Sequence, residues 1–274
     1  MKFIIFAIIA FLCSTDTFAA TVDTVFVKSR TMNKNIQVVF ITPDNSNQVT
    51  SSQYPTIYLL HGYGNDAKYW LKVKPELPQI ADKEGIIFVC PDGKNSWYWD
   101  SPKDTTSKYE TFISHELIQY TDTHYNTIPH REGRAITGLS MGGQGALWNA
   151  FRNKEIFGAA GSTSGGVDIR PFPQNWDIKL LLGEYSQNKR IWDTHTIINQ
   201  IYHVANKELS LIIDCGQDDF FINVNKALHN QLLKQGIEHD FIIKPGEHNY
   251  IYWRNSIDYQ ILFFTKYFKK YRCN

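Results

Sequence analysis

The feature that most constrains this chain is a glycine-rich pentapeptide around one serine, set between an apolar run and a helical pattern. It spans residues 138–142, G-L-S-M-G, with Ser140 at its centre. A serine on a sharp strand-to-helix turn takes a strained backbone conformation, and the chain beside it can pass closely only where side chains are absent. The sequence therefore predicts an exposed Ser140 hydroxyl at the start of a helix. The pentapeptide alone also fits an ordinary loop before a helix.

Short apolar runs alternate with helical patterns along most of the chain. Two β-branched runs, 21–30 and 34–43, predict an antiparallel pair of strands at a sheet edge. Further strands are predicted at 56–60, 86–90, 158–163, 209–215 and 240–244, with another ending at Ser140. Most of these runs are apolar enough for strands of a parallel sheet that is covered on both faces. Helices are predicted within 70–85, 109–125, 224–235 and 250–271. This order predicts an α/β-hydrolase fold with a mostly parallel central sheet, an antiparallel N-terminal edge and helices on both faces.

The residues that follow the strand runs include a base and an acid for the serine. Serine is a weak nucleophile near neutral pH, so it needs a base to take its proton and a carboxylate to orient that base. In this fold the chain order is serine, acid, histidine, which Asp219 and His248 satisfy. Asp218 is the alternative acid. His61 also ends a strand run, but its H-G-x-G turn suits a backbone-shaping role better than that of the base.

Acyl transfer also needs hydrogen-bond donors for the oxyanion. In this fold one donor is the backbone N–H of the residue after the nucleophile, which is Met141. The second is expected in the turn after the 56–60 run, where Gly62 and Gly64 let the backbone curl toward the serine. The Tyr63 N–H is the best candidate, and a plain glycine turn is the alternative.

Several motifs together resemble one known group of proteins, the esterase D-like α/β-hydrolases. That group includes tributyrin esterases, feruloyl and acetyl xylan esterases, S-formylglutathione hydrolases and mycobacterial mycolyltransferases. The motifs are Y-L-L-H-G-Y-G at 58–64, P-D-G at 91–93, Y-E-T-F at 109–112, residues 134–147, G-x-x-D at 216–219, and P-G-E-H-N at 245–249 followed by Trp253. The resemblance covers nearly all of the chain after residue 20. It implies a triad of Ser140, Asp219 and His248, with Tyr63 and Met141 as oxyanion donors.

The same resemblance implies a substrate-binding role for two tryptophans. In the secreted feruloyl esterases that this chain resembles, tryptophans at the places of Trp253 and Trp97 line the cleft, although core packing explains such tryptophans equally well. The stretch 164–206 lies where this fold accepts insertions that shape the pocket for the alcohol part of the ester.

The N-terminus predicts export. Residues 1–20 carry one positive charge, an apolar core and small residues at the end, which is typical of a secretory signal peptide cleaved after Ala19 or Ala20. An uncleaved anchor is the alternative, but the apolar run is short for a membrane span, so no stable membrane anchor is expected. Residues 21–274 then form a single domain. Cys90 and Cys215 end apolar runs and are expected to be small buried residues rather than part of a disulfide framework.

Charge and composition narrow the function further. A formal net charge of +1 argues against electrostatic capture of nucleic acid, and no metal or organic cofactor is implied. We therefore predict a secreted or periplasmic serine carboxylesterase acting on a small-molecule or polysaccharide ester, with feruloyl or acetyl groups on sugars as the expected targets. An acyltransferase with the same acyl-enzyme is the first alternative. A non-catalytic carbohydrate-binding protein is the second, and the oligomeric state stays open.

Overall fold

A single mixed sheet runs through the computed structural model, which describes residues 20–44 and 53–272. The predicted signal peptide lies outside the described residues, apart from Ala20. In the part that is described, the strands are β1 (Thr21–Ser29), β2 (Lys34–Thr42), β3 (Thr56–Leu60), β4 (Ile87–Pro91), β5 (Arg134–Gly138), β6 (Ala159–Thr163), β7 (Ser210–Gly216) and β8 (Asp240–Lys244). Each strand falls within one or two residues of a predicted run.

The strand order confirms the predicted α/β-hydrolase fold. The sheet runs β1-β2-β4-β3-β5-β6-β7-β8. The pairs β1–β2 and β2–β4 are antiparallel, whereas all pairs from β4 to β8 are parallel. From β3 the chain crosses to β4 on one side and later returns to β5 on the other. The carboxyl ends of β3 and β5 therefore flank a switch point, where open α/β sheets form their ligand crevices.

Helices cover both faces of the sheet. Their bounds are α1 (Tyr69–Val73), α2 (Leu77–Glu84), α3 (Tyr109–Thr111), α4 (Leu117–His124), α5 (Met141–Arg152), α6 (Ile178–Leu182), α7 (Lys189–Thr194), α8 (Ile222–Lys234) and α9 (Tyr250–Arg272). Apolar residues of α4, α5 and α8 pack on one face, and those of α1, α2 and α9 pack on the other. The central strands β3, β4, β5 and β6 are buried at every residue, which explains their nearly continuous apolar or small-residue sequences.

Two predicted helices differ in detail from the structure. The helix expected within 70–85 is divided into α1 and α2, because Pro75 pushes Lys74 out of the helical region, to φ −132° and ψ 80°. The helix expected within 109–125 begins with α3, passes through a π-helical turn at Phe112–Glu116 and continues as α4. Neither change moves a strand end.

Cys90 and Cys215 are free and buried, as predicted. Within residues 20–44 and 53–272, no helix combines the length and the apolar character that crossing a membrane requires.

Candidate active site

The turn between β5 and α5 holds Ser140 in a strained conformation. Its φ is 56° and its ψ is −117°, a combination that residues other than glycine rarely adopt. The chain on either side is tightly confined: a Cβ added to Gly142 would lie 2.1 Å from the Leu60 carbonyl oxygen, and one added to Gly138 would lie 2.5 Å from the backbone of Gly142. Only glycine fits at these two positions. The predicted strand–turn–helix around Ser140 is therefore present, and the serine stays partly accessible.

Three side chains from distant parts of the chain meet beside this turn. The His248 Nε2 atom lies 2.9 Å from the Ser140 hydroxyl oxygen, and His248 Nδ1 lies 2.9 Å from Asp219 Oδ2. Because an ionised carboxylate only accepts hydrogen bonds, the Nδ1–H donates to Asp219, which leaves Nε2 to accept the serine proton. The arrangement is that of a nucleophile, a general base and an orienting acid.

The structure separates Asp219 from its neighbour Asp218. Asp219 is 2% exposed, and its second oxygen accepts a hydrogen bond of 2.8 Å from the Phe221 N–H. Asp218 is exposed, and its side chain makes no hydrogen bond to His248. The carboxylate that faces the histidine is therefore that of Asp219.

The expected oxyanion donors lie on both sides of Ser140. Met141 is the first residue of α5, where backbone N–H groups lack partners within the helix. The turn that contains Tyr63 lies beside the nucleophile, since a Cβ added to Gly62 would lie 3.5 Å from Ser140 Cβ. In the described part of the chain, neither the Tyr63 N–H nor the Met141 N–H donates to a protein acceptor. Both groups are free to bind an oxyanion.

His61 occupies a structural position near the site. Its Nδ1 lies 2.8 Å from the Gly62 carbonyl oxygen, and its Nε2 accepts a hydrogen bond of 2.9 Å from the Gly93 N–H. The ring is 1% exposed. His61 thus ties the turn after β3 to the turn after β4, in keeping with the predicted backbone-shaping role.

Four aromatic side chains form a wall beside His248, which we call the aromatic shelf: Phe172, Trp176, Phe220 and Phe221. The Phe220 ring lies 4.2 Å from the His248 ring and is 50% exposed. Trp176 stacks on Phe220 at 5.8 Å, and Phe172 packs against both Trp176 and Phe221. Sequence analysis missed this shelf. The pair of phenylalanines directly after Asp219 was the one local signal that pointed to it.

The two tryptophans singled out in the sequence are buried. Trp97 is 1% exposed and packs between Trp99 and Trp176. Trp253 is 8% exposed, with its ring edge-on to His248 at 5.0 Å. Trp97 therefore supports the shelf from behind, and Trp253 supports the histidine. Direct contact of either tryptophan with a substrate stays a prediction.

A buried polar network lies beneath the site. The Asp214 carboxylate on β7 accepts hydrogen bonds from Thr163 on β6 and from Ser256 and Gln260 on α9. Burial raises the pKa of the Asp214 carboxyl, while these hydrogen bonds oppose the rise. The network fastens α9, whose first residues follow His248, to the strands of the sheet. Among the described residues, no group of three or more His, Cys, Asp and Glu side chains is placed to hold a metal ion.

Comparison with protein families gives a match over most of the chain. The sequence model of the esterase family, described as "Putative esterase", matches residues 29–264. An acetyl esterase of Caldicellulosiruptor saccharolyticus is 26% identical over 249 residues, which cover 84% of this chain and 92% of that protein. Two esterases of Mycobacterium tuberculosis strains are also 26% identical, but there the chain spans only 52% of their length.

Solved structures show the same likeness. A ferulic acid esterase superposes with a TM-score of 0.79 at 26% identity, covering 92% of this chain and 99% of that one. An S-formylglutathione hydrolase of Staphylococcus aureus superposes with a TM-score of 0.78 at 20% identity, covering 90% and 99% of the two chains. The second likeness concerns the fold alone.

Proposed function

The chain belongs to the esterase family and is a carboxylic ester hydrolase, and from this premise we propose that it cleaves acyl esters of sugars or polysaccharides through an acyl-enzyme on Ser140. The observation that carries the proposal is the unbroken line of hydrogen bonds from Ser140 through His248 to Asp219, 2.9 Å at each step. Such a line makes one otherwise unreactive alcohol nucleophilic.

Acylation follows from the positions of these groups. The Ser140 oxygen attacks the ester carbonyl carbon while its proton passes to His248 Nε2, and Asp219 stabilises the imidazolium that forms. The carbonyl oxygen becomes an oxyanion, which the Tyr63 and Met141 N–H groups bind at the N-terminal end of α5. When the tetrahedral intermediate collapses, the bond to the alcohol oxygen breaks and His248 gives its proton to the departing alkoxide.

Deacylation repeats the steps with water. His248 takes a proton from a water molecule, whose oxygen attacks the acyl carbon bound to Ser140. The second tetrahedral intermediate collapses, the acid leaves, and the proton returns to the Ser140 oxygen. Apart from the water molecule, the chain's own residues supply the groups that these steps use.

The aromatic shelf is the basis for proposing an aromatic acyl group, although the 164–206 stretch, which supplies Phe172 and Trp176, was expected to shape the pocket for the alcohol part. Phe220 presents half of its ring surface directly beside His248, and Trp176 extends the apolar surface outward. A planar hydroxycinnamoyl group can stack on such a surface, whereas an acetyl group is too small to use it. We therefore place feruloyl esters ahead of acetyl esters. The similarities to a ferulic acid esterase and to an acetyl esterase support both classes.

Export belongs to the same proposal. Residues 1–20 have the composition of a secretory signal peptide, so we propose a secreted or periplasmic enzyme. Feruloyl and acetyl groups attached to extracellular polysaccharides then become the accessible esters.

A substrate panel tests the proposal. Methyl ferulate, feruloylated arabinoxylan, acetylated xylan and p-nitrophenyl acetate are compared for wild type and Ser140→Ala, with and without an added sugar or glycerol acceptor. We expect release of free acid, a higher kcat/KM for methyl ferulate than for the acetyl esters, and no activity above background in Ser140→Ala. Wild-type rates in Ser140→Ala would end the proposal. Products acylated on the acceptor, in place of free acid, would make the protein an acyltransferase.

A further inference from the structure

One hydrogen bond joins the turn at residues 61–65, which we call the oxyanion turn, to the residue that follows Trp176 of the aromatic shelf. The Tyr63 hydroxyl donates to Asp177 Oδ2 over 2.6 Å, although the two residues are 114 positions apart in the chain. Tyr63 lies in the turn after β3. Asp177 directly follows Trp176 of the shelf and precedes the first residue of α6. A residue of the 164–206 stretch thus bonds to the residue whose N–H is the expected second oxyanion donor.

The backbone at Asp177 is strained. Trp176 has φ 53° and Asp177 has φ 52°, so two consecutive residues other than glycine occupy the left-handed region. That region is unfavourable for residues with a Cβ and persists where neighbouring contacts hold it. Here the contacts come from both sides: Trp176 stacks on Phe220, and Asp177 accepts the hydrogen bond of Tyr63.

The oxyanion turn is already held at its start by His61, whose ring contacts the Gly62 carbonyl oxygen and the Gly93 N–H and whose carbonyl oxygen accepts a hydrogen bond from the Tyr98 hydroxyl. The Gly64 N–H donates to Asn95 Oδ1 over 2.8 Å, and the Asn65 side chain makes a long hydrogen bond of 3.4 Å to the Tyr63 carbonyl oxygen. Gly64 itself has φ +76° and nothing within 4 Å of the place of a Cβ. The turn is therefore open to solvent on one side, and the side chain of Tyr63 ties its centre to Asp177.

The Tyr63 hydroxyl remains the donor of this hydrogen bond over a wide pH range. The hydrogen bond to Asp177, followed by partial burial and the charge of that carboxylate, raises the pKa of Tyr63 to about 12. Tyr63 is thus a donor wherever a histidine base is active, and the carboxylate of Asp177 is the acceptor.

We propose that Asp177 is a positioning residue for ester hydrolysis, which through the Tyr63 hydroxyl holds the Tyr63 N–H in place to bind the oxyanion. The inference rests on the proposed function. Contacts lead from Ser140 to His248, from His248 to Phe220 and from Phe220 to Trp176. They return from Asp177 to Tyr63, whose neighbour Gly62 lies beside Ser140.

The role has a kinetic signature. Negative charge gathers on the carbonyl oxygen only as the tetrahedral intermediate forms, so a displaced donor weakens the transition state more than the bound ester. Loss of the hydrogen bond should lower kcat for every acyl group and leave KM nearly unchanged. A purely structural role of Asp177 in the shelf would instead raise KM for aromatic esters and spare the acetyl ester.

The experiment removes the hydrogen bond from either end. We compare wild type with Tyr63→Phe, Asp177→Ala and the double variant, using p-nitrophenyl acetate and methyl ferulate as substrates. Each protein is also titrated with phenylboronic acid, which forms a tetrahedral adduct with a reactive serine. We expect each single variant to lose about tenfold in kcat on both esters, since a hydrogen bond to a charged group supports this factor. The inhibition constant of the boronic acid should rise by a similar factor. The double variant should lose no more than either single one.

Conservative and matched controls complete the set. Asp177→Asn keeps an oxygen acceptor and should recover most of the lost kcat, and Gln174→Ala, at an exposed position of the same segment, should equal wild type. Thermal melting shows whether each variant is folded. Wild-type kcat in both Tyr63→Phe and Asp177→Ala, or losses that multiply in the double variant, would overturn the inference. An active Ser140→Ala in the same series would instead overturn the proposed function.

Discussion

The strand ends and the 164–206 stretch build the candidate active site in different ways. The turns that follow parallel strands carry Ser140, Asp219 and His248. These side chains meet because the carboxyl ends of those strands share one edge of the sheet. The stretch between β6 and β7 holds only short helices and turns, yet it contributes Trp176 and Asp177. Topology thus fixes the reacting groups and Phe220, whereas the irregular segment adds Trp176 to the aromatic surface beside His248.

Strain occurs in both regions but for different reasons. At the strand ends Ser140, Trp97 and Tyr98 have positive φ, each in a tight turn that buried glycines and apolar side chains surround. In the 164–206 stretch, Ser164 has positive φ at a buried position, whereas Trp176 and Asp177 have positive φ where Trp176 is partly exposed and Asp177 is exposed. We expect substitutions of the reacting groups and of the buried glycines at the strand ends to abolish activity or folding, and substitutions of exposed rings in the shelf to change selectivity.

The largest loss of kcat is expected for Asp219, the carboxylate that follows β7 and contacts His248. Asp219→Asn should lower kcat by on the order of 10³- to 10⁴-fold, because an amide no longer holds His248 in the tautomer that accepts the serine proton. Asp218→Asn is the matched control and should stay within about threefold of wild type, since Asp218 is exposed and does not contact His248. Steady-state hydrolysis of p-nitrophenyl acetate checks both. If Asp218→Asn were the damaging change, the acid would be misassigned.

The next effect concerns the start of α5. Gly142→Ala places a methyl group 2.1 Å from the Leu60 carbonyl oxygen, so α5 must move away from β3. We expect a loss of at least about 2 kcal/mol in the free energy of unfolding and a loss of activity, since overpacking displaces the backbone. Urea unfolding followed by tryptophan fluorescence measures the stability. A fully stable and active Gly142→Ala would show that the contact between the two elements is looser than described.

A smaller and selective effect is expected in the aromatic shelf. Phe220→Ala should lower kcat/KM for methyl ferulate by up to about tenfold, the scale of one aromatic contact, and that for p-nitrophenyl acetate by less than threefold. Phe26→Ala is the control, because Phe26 is 66% exposed on β1 at the far edge of the sheet. Equal losses on both esters would assign Phe220 to the support of His248 and remove the reason for preferring feruloyl groups.

The smallest change in kcat is expected for Trp253, which packs against His248. Trp253→Phe keeps an aromatic ring against His248, so kcat should change by no more than about threefold and KM for methyl ferulate should stay the same. A rise in KM confined to the aromatic ester would favour the alternative, in which Trp253 touches the substrate.

The sequence predicted the strand ends well and the 164–206 stretch poorly, and physical reasons explain both. Apolar runs followed by polar residues identify parallel strands and their functional ends, which led to the three side chains that meet at Ser140. The left-handed backbone at Trp176 gave no signal, because glycine, asparagine or aspartate usually marks such positions. The hydrogen bond from Tyr63 to Asp177 depends on how a segment without periodicity folds back over the sheet. No local pattern encodes that contact.

The most direct test of the account is covalent labelling of the folded wild-type protein with a fluorophosphonate, followed by peptide mass spectrometry. We predict one adduct on Ser140, with activity lost in proportion to labelling and no adduct when His248 is changed to Ala. Labelling at another residue, or full activity after Ser140 has been modified, would contradict the claim that the meeting of these side chains creates the reactive alcohol.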